Sequence, residues 1–193
     1  MGHRALLAYR RDETDRADEP AETESAPDRA SDDGPTYDLH RSHWGAADFA
    51  LADRIRADSP FAADTAFAVD PDPVATGVTL ADAVANYVDF LHHEAFYRVE
   101  TDYETTPFHV LWFGLDADSE AVDRSETVGN GALVEARAVD DTDADFLRGW
   151  FRGTKAVVGE MVDRGALAPD EATDCLAARV CAWAGDREVF VTE

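Results

Sequence analysis

The segment YDLHRSHWGAADF, residues 37–49, ends a predicted strand and then turns the chain at Trp44 and Gly45. It contains His40 and His43, whose spacing of three places two side chains on one face of a helix. Side chains in a strand alternate between the two faces of a sheet, so on a strand these histidines point to opposite sides. We therefore do not interpret HRSH as a metal-chelating motif.

Two predicted strands flank an acidic segment near the N-terminus. The apolar run RALLAYR, residues 4–10, has the length of a strand, and TYDLHRSH, residues 36–43, forms the second one. Residues 11–35 between them hold ten acidic and three basic residues, three prolines and no aromatic or large aliphatic residue. Such a segment buries too little apolar surface to offset the entropy of ordering it. We predict a β-hairpin that carries a disordered acidic insert over residues 11–35.

The register of this hairpin decides which residues meet at its open end. If Arg10 pairs with Thr36 across the insert, His3 lies opposite His43, since cross-strand neighbours have Cβ atoms about 5 Å apart. A shift of one residue would separate the two histidines. We predict that the open end is the binding surface of the protein. Its candidate residues are His3, Arg4, His43 and Trp44.

The rest of the chain mixes helical and strand patterns without regular alternation. Helices are predicted over residues 46–56, from the capping residue Thr79 to about residue 91, over residues 142–164, and from Pro169 onwards. Residues 58–78 resemble a loop, and the strand candidates are AFYRVETDY, FHVLWFGL, ALVEARAV and REVFV. These patterns predict one α+β domain over residues 1–193, with a mostly antiparallel sheet of about five to six strands and three to four packed helices.

The charge of the chain is strongly acidic. Forty-one acidic residues against 17 basic ones give a net charge of −24, and Lys155 is the only lysine. This composition favours adaptation to high salt, where surface carboxylates repel each other only weakly. An acidic partner-binding protein that mimics nucleic acid is the alternative interpretation. Because no basic stripe is present to neutralise phosphates, we expect no binding to nucleic acid.

The sequence contains no run of eighteen apolar residues and no signal-peptide core, so we expect no membrane span and a cytoplasmic location. It also contains no G-x-S-x-G motif and no glycine-rich phosphate loop. Tandem His92 and His93 are expected to end a helix, and His109 is expected in the core. We therefore predict no cofactor and no dedicated metal site, and we assign no catalytic residue.

The N-terminal MGHRALLAY, joined across the insert to YDLHRSHWGA, resembles an uncharacterised family of small haloarchaeal proteins, a domain of unknown function. FHVLWFGL and FLRGWFRGTKAVV fit the same family less distinctively. Members of that family join the first two strands by a short turn, so the long acidic insert departs from the pattern. The resemblance implies a salt-loaded cytoplasm and carries no activity or catalytic residue with it.

Together these features favour a non-enzymatic binding or accessory protein whose partner is an unknown small molecule or protein. The alternative is a metal-dependent hydrolase in which His3 and His43 are ligands, completed by a carboxylate or histidine from the central strands. An enzyme of this type needs a third ligand and a concave pocket, whereas a binding module can present a flat aromatic patch. Nothing in the sequence assigns the oligomeric state.

Overall fold

The computed structural model describes residues 3–12, 34–114, 130–137 and 141–192, without the side chains of residues 141–143. These residues form seven strands and three α-helices in one α+β domain. The elements are β1 (Ala5–Arg10), β2 (Thr36–Ser42), β3 (Ala75–Thr79), α1 (Leu80–Asn86), β4 (Ala95–Val99), β5 (Thr105–Trp112), β6 (Gly131–Glu135), α2 (Asp141–Asp163), α3 (Pro169–Ala184) and β7 (Val189–Val191). The predicted fold class is confirmed, whereas the sheet has more strands than the five to six predicted.

The strands form one sheet in the order β3-β2-β1-β4-β5-β6-β7. All neighbours are antiparallel except β1 and β4, which are parallel. β1 therefore lies inside the sheet with a partner on each side, and its residues Ala5, Leu6, Leu7 and Ala8 are at most 1% exposed. A strand that is buried on both faces is apolar throughout instead of alternating.

The hairpin of β1 and β2 is confirmed, but its predicted register is wrong by one residue. Arg10 pairs with Tyr37 and Ala5 with Ser42, while the backbone N–H of Arg11 donates to the carbonyl of Thr36 at 2.9 Å. The pairing therefore keeps residues 11 and 36 together at the ends of the predicted insert. Residues 13–33 of that insert lie outside the described residues.

The two faces of the sheet are covered in different ways. On one face, here called the α1 face, Leu6, Leu39, Phe96 and Phe108 pack with Val84 and Val88 beside α1. On the other face, residues 46–69 cover β1 and β4, whereas α2 and α3 cover β5 and β6. Each fully buried leucine or phenylalanine contributes about 1.5–3 kcal/mol to folding. On this second face of the sheet, the segment of residues 46–69 and the pair of helices α2 and α3 form two separate hydrophobic clusters, and a part of β5 lies between them.

Several predicted helix ends agree with the structure. The Thr79 hydroxyl oxygen accepts a hydrogen bond from the Asp82 N–H at 3.1 Å, which caps α1 as the sequence predicts. α2 ends at Asp163, and Gly165 adopts a φ of +68°, the left-handed conformation that closes many helices. Pro169 begins α3, where its missing N–H removes no helical hydrogen bond.

Other predicted boundaries are wrong. The predicted helix over residues 46–56 is a short 3-10 turn, Ala47–Phe49, followed by further turns. The predicted loop over residues 58–78 contains most of β3, the edge strand beside β2. α1 ends at Asn86, so His92 and His93 lie six and seven residues beyond the helix and do not cap it. None of the described helices is long and apolar enough to cross a membrane.

Candidate functional site

The chain turns tightly after β2, and the sheet fixes this turn. The backbone N–H of Ala46 donates to the carbonyl of His3 at 3.1 Å, and the buried Tyr97 hydroxyl donates to the carbonyl of Gly45. A Cβ atom on Gly45 would lie 2.8 Å from a methyl carbon of Leu51 and 2.9 Å from Ser42. Only glycine fits at this position, so the residue holds the following segment close to the sheet.

His3 and Trp44 meet at the open end of the hairpin, whereas His43 does not join them. Extending the observed register beyond the pair of Ala5 and Ser42 brings His3 level with Trp44, and their ring centroids are 6.0 Å apart. The predicted pairing of His3 with His43 is therefore wrong, because the register is shifted by one residue. His43 and Arg4 are exposed.

His3 has a carboxylate partner instead. Its Nδ1 lies 2.8 Å from Oε2 of Glu94, the residue just before β4, and both side chains are about half exposed. The backbone N–H of Glu94 donates to the carbonyl of Arg4 at 2.9 Å, which holds residue 94 beside β1. The parallel pairing of β1 with β4 thus creates a His–Glu pair from residues that are 91 positions apart.

A cavity of about 770 Å³ opens next to this pair, between the two covers of the second face. Its floor is formed by Thr105, Pro107 and His109, alternate residues of β5 that point to the same side of the sheet. One wall consists of residues 46–53 with His3 and Glu94, here called the loop wall. The other consists of Ala136 and Arg137 with Ala144, Asp145 and Arg148 of α2, here called the helix wall. The volume lies in the range of pockets that bind small molecules.

His109 and Phe49 meet beside the floor of the cavity. His109 is 3% exposed, and the Phe49 ring packs edge-on against its imidazole with centroids 4.8 Å apart. The burial expected for His109 is therefore confirmed. Asp48 and Phe49 both have a φ of +51°, a conformation that is uncommon for aspartate and strained for phenylalanine. Such strain concentrates at functional sites, since the surrounding structure must offset about 1–3 kcal/mol for each residue.

The two walls carry different charges. The loop wall contributes the carboxylates of Asp48, Asp53 and Glu94. The helix wall contributes the guanidinium groups of Arg137 and Arg148 and the carboxylate of Asp145. Arg137 also pairs with Asp186 at 2.6 Å, and the hydrogen bond from this arginine lowers the pKa of the Asp186 carboxyl.

The other charged groups considered in the sequence have structural roles. His93 accepts a hydrogen bond at Nδ1 from the backbone N–H of Asp89 at 3.0 Å, and burial lowers its pKa to about 4. His92 pairs with the Asp89 carboxylate at 2.9 Å. Over residues 3–12, 34–114, 130–137 and 141–192, no three His, Cys, Asp or Glu side chains are placed to hold a metal ion.

Of the four residues predicted at the binding end, His3 lines the cavity and Trp44 lies beside His3, whereas Arg4 and His43 do not line it. Binding at this end stays a prediction. Arg148, Asp48 and His109 were not recognised as site residues. The sequence did contain an indication of Arg148. Basic residues are scarce in this acidic chain, so an arginine on a helix could have been considered as a candidate binding residue. The approach of α2 to β5 depends on tertiary packing, which no local pattern encodes.

Comparison with known proteins identifies a family for this chain, but it does not assign an activity. Neither the search of curated proteins nor the search of solved structures found a match. A family model described as "Family of unknown function (DUF6735)" matches residues 63–191, about two thirds of the chain. The match includes the floor and the helix wall of the cavity, whereas His3 and residues 46–53 precede it. The chain belongs to this family of unknown function, DUF6735.

Proposed function

We propose that this protein is a non-enzymatic binding module that holds a small molecule in the cavity between the loop wall and the helix wall. The observation that carries this proposal is the cavity itself, about 770 Å³ in volume and lined by charged and aromatic side chains. The strained turn at Asp48 and Phe49 supports it, because the chain accepts an unfavourable conformation where it forms the wall. His3 of the predicted binding end lines the same cavity, and Trp44 lies beside His3, which also supports the proposal.

The alternative, a metal-dependent hydrolase, has two features in its favour and two against it. The pocket is concave and contains a His–Glu pair, as such an enzyme requires. However, His43 does not face His3, and the part of the chain described by the structure offers no group of three ligands. Metal analysis of the purified protein beside a His3→Ala variant tests this alternative. About one equivalent of zinc or manganese in the parent and none in the variant would favour the hydrolase.

The acidic composition supports a salt-adapted protein of a haloarchaeal cytoplasm, acting without nucleic acid. A net charge of −24 spread along the chain destabilises the fold at low ionic strength, because the carboxylates repel each other. We expect the free energy of unfolding to increase as KCl is raised from about 0.2 M to about 3 M, where screening acts over only a few ångströms. Urea unfolding at each salt concentration measures the effect, and a free energy that is independent of KCl would contradict the adaptation.

Blocking the cavity tests the proposed function. Ala144 lines the helix wall, so Ala144→Trp fills part of the cavity. Ala178→Trp is the matched control, since it introduces the same side chain at an exposed position of α3. Ligand-observed NMR with a set of amino acids, short peptides, carboxylates, sugars and nucleosides should detect binding to the parent and to Ala178→Trp. Loss of that binding in Ala144→Trp places the ligand in the cavity. No ligand for the parent, or equal binding by both variants, would overturn the proposal.

A further inference from the structure

The charged groups on the two walls restrict the kind of molecule that the cavity can hold. Three carboxylates lie on the loop wall, whereas on the helix wall Arg137 already pairs with Asp186 and Arg148 shares the wall with the carboxylate of Asp145. A ligand with a single charge would use the charged groups of only one wall. A molecule with a positive and a negative end satisfies both walls if it is oriented across the cavity.

The groups that would bind such a molecule are available. Among the described residues, no hydrogen bond or ion pair involves the guanidinium of Arg148. The carboxylates of Asp48 and Asp53 likewise have no partner within the described ranges. Glu94 differs from them, because His3 already contacts it at 2.8 Å. Arg148 and the two aspartates are therefore the primary contacts, one on each side of the floor.

The size of the cavity indicates how far apart the ligand charges should be. A sphere of 770 Å³ is about 11 Å across, and three extended residues of a peptide span about 10 Å. In a free amino acid the ammonium and the carboxylate are attached to the same carbon, so these two groups span only a small part of a cavity of this width. Alanine residues 46, 47 and 52 keep the loop wall small, and Phe49 offers an apolar contact between the charged ends.

We propose that the ligand is a zwitterion of the length of a short peptide, with its carboxylate on Arg148 and its ammonium group on Asp48 and Asp53. This inference rests on the proposed function, since it names the ligand class of the same cavity. Arginine suits the carboxylate because its planar guanidinium can donate two parallel hydrogen bonds. Pairs in direct contact survive high salt better than distant charges, which are screened within about 3 Å at 1 M.

Tri-alanine and its capped forms test the two charged contacts without altering the protein. Free tri-alanine carries both charges, its C-terminal amide lacks the carboxylate, and its N-acetyl form lacks the ammonium. Isothermal titration in KCl should give the tightest binding for the free peptide. Each capped form should bind roughly 10–100-fold more weakly, as expected when a charge-assisted hydrogen bond is lost. Free alanine distinguishes a single amino acid from a peptide, and binding as tight as that of tri-alanine would overturn the proposed length.

Variants then assign each contact to its wall. Arg148→Met should weaken the binding of tri-alanine and remove its preference over the amide, whereas Arg152→Met, one turn further along α2, should not. The double variant Asp48→Asn and Asp53→Asn should remove the preference over the acetylated form. Asparagine also tolerates the left-handed conformation at residue 48, so the turn is kept. The matched control is Asp58→Asn with Asp64→Asn, two exposed residues outside the cavity.

The outcomes separate this inference from the proposed function. If the three peptides bind equally, or if only sugars, nucleosides or singly charged molecules bind in the screen, the zwitterion is wrong and the binding module stands. If nothing binds to the parent, the proposed function fails and the ligand class fails with it. The comparison of capped and free peptides uses the parent protein, so it is decisive even where a variant does not fold.

Discussion

Two groups of charged side chains lie on opposite faces of the same sheet, and they are used differently. On the α1 face, Arg98 contacts Glu188 at 2.7 Å and Glu100 at 3.2 Å, while Arg10 contacts Glu100 at 2.9 Å. The guanidinium of Arg98 also lies 5.7 Å from the centre of the Phe108 ring. In the cavity on the other face, Arg148 makes no ion pair with any described residue.

This difference separates charges that serve the fold from charges that are available to a ligand. A group that is already partnered stabilises the native state, and removing it leaves other charges or dipoles unsatisfied. A group without a partner contributes little to stability, so its removal should affect binding alone. The following predictions test this division, beginning with the largest expected change in the free energy of unfolding.

His93 should give the largest effect, which appears as a dependence of stability on pH. Burial lowers its pKa to about 4, whereas an unfolded histidine titrates near 6.5. The unfolded state therefore binds more protons between these values, and stability is lost as the pH falls from about 6.5 towards 4. The loss should be about 2 kcal/mol by pH 5 and about 3 kcal/mol by pH 4. Urea unfolding across this range measures it.

A His93→Asn variant isolates this effect from the titration of carboxylates. The asparagine oxygen can accept the hydrogen bond from Asp89, but it does not bind a proton in this range. The free energy of the variant should therefore decrease less steeply than that of the parent as the pH falls. His43→Asn changes an exposed histidine in the same way and should follow the parent. Parallel curves for the parent and His93→Asn would contradict the role of His93.

Features that depend on a single residue could be predicted from the sequence, whereas features that depend on contacts between distant residues could not. Helix ends were predicted well where a single side chain or a single φ decides them, as at Thr79 and Gly165. The register of the first hairpin failed for a physical reason. β1 is buried on both faces, so its apolar residues do not reveal which face each one occupies. A long insert also replaces the short turn that would otherwise fix the register.

Of the residues at the candidate site, only those at the end of the first hairpin could be selected from the sequence. His3 and Trp44 both lie at the end of the first hairpin, and the observed register brings their rings to 6.0 Å. Glu94 reaches His3 through the parallel pairing of β1 with β4, a connection that no sequence pattern indicated. Arg148 reaches the cavity because α2 packs across β5. Non-local packing of this kind decides most of the cavity.

Arg98→Met should give the next largest change in stability. The substitution keeps most of the apolar stem but leaves Glu188 without its guanidinium partner and Glu100 with Arg10 alone. We expect a loss of about 2 kcal/mol, below the 3–5 kcal/mol of a fully buried pair, because Glu188 is 39% exposed. Urea unfolding measures the loss. The control is Arg164→Met at the exposed pair with Glu160, which should change stability by less than about 0.5 kcal/mol. Equal effects in both variants would show that the Arg98 contacts do not stabilise the fold.

Tyr97→Phe should have a smaller effect that reaches the cavity. The variant removes the hydroxyl that donates to the Gly45 carbonyl and leaves this acceptor unsatisfied. The expected loss is about 1–2 kcal/mol in the free energy of unfolding, together with weaker ligand binding because the turn before the loop wall is loosened. Tyr87→Phe alters an exposed tyrosine and should change neither quantity. A stable variant with unchanged binding would mean that this hydrogen bond does not position the loop wall.

Arg148→Met should give the smallest change in stability, within about 0.5 kcal/mol of the parent, because no described group loses a partner. Leu147→Ala is the control with the opposite expectation. Leu147 directly precedes Arg148 in α2 and is fully buried, so its truncation should lower the free energy of unfolding by about 2–5 kcal/mol. Urea unfolding and peptide titration on both variants separate stability from binding. If Arg148→Met unfolds as easily as Leu147→Ala, then Arg148 stabilises the fold. The division between charges that stabilise the fold and charges that are available to a ligand would then be wrong, because Arg148 is the main example of an available charge.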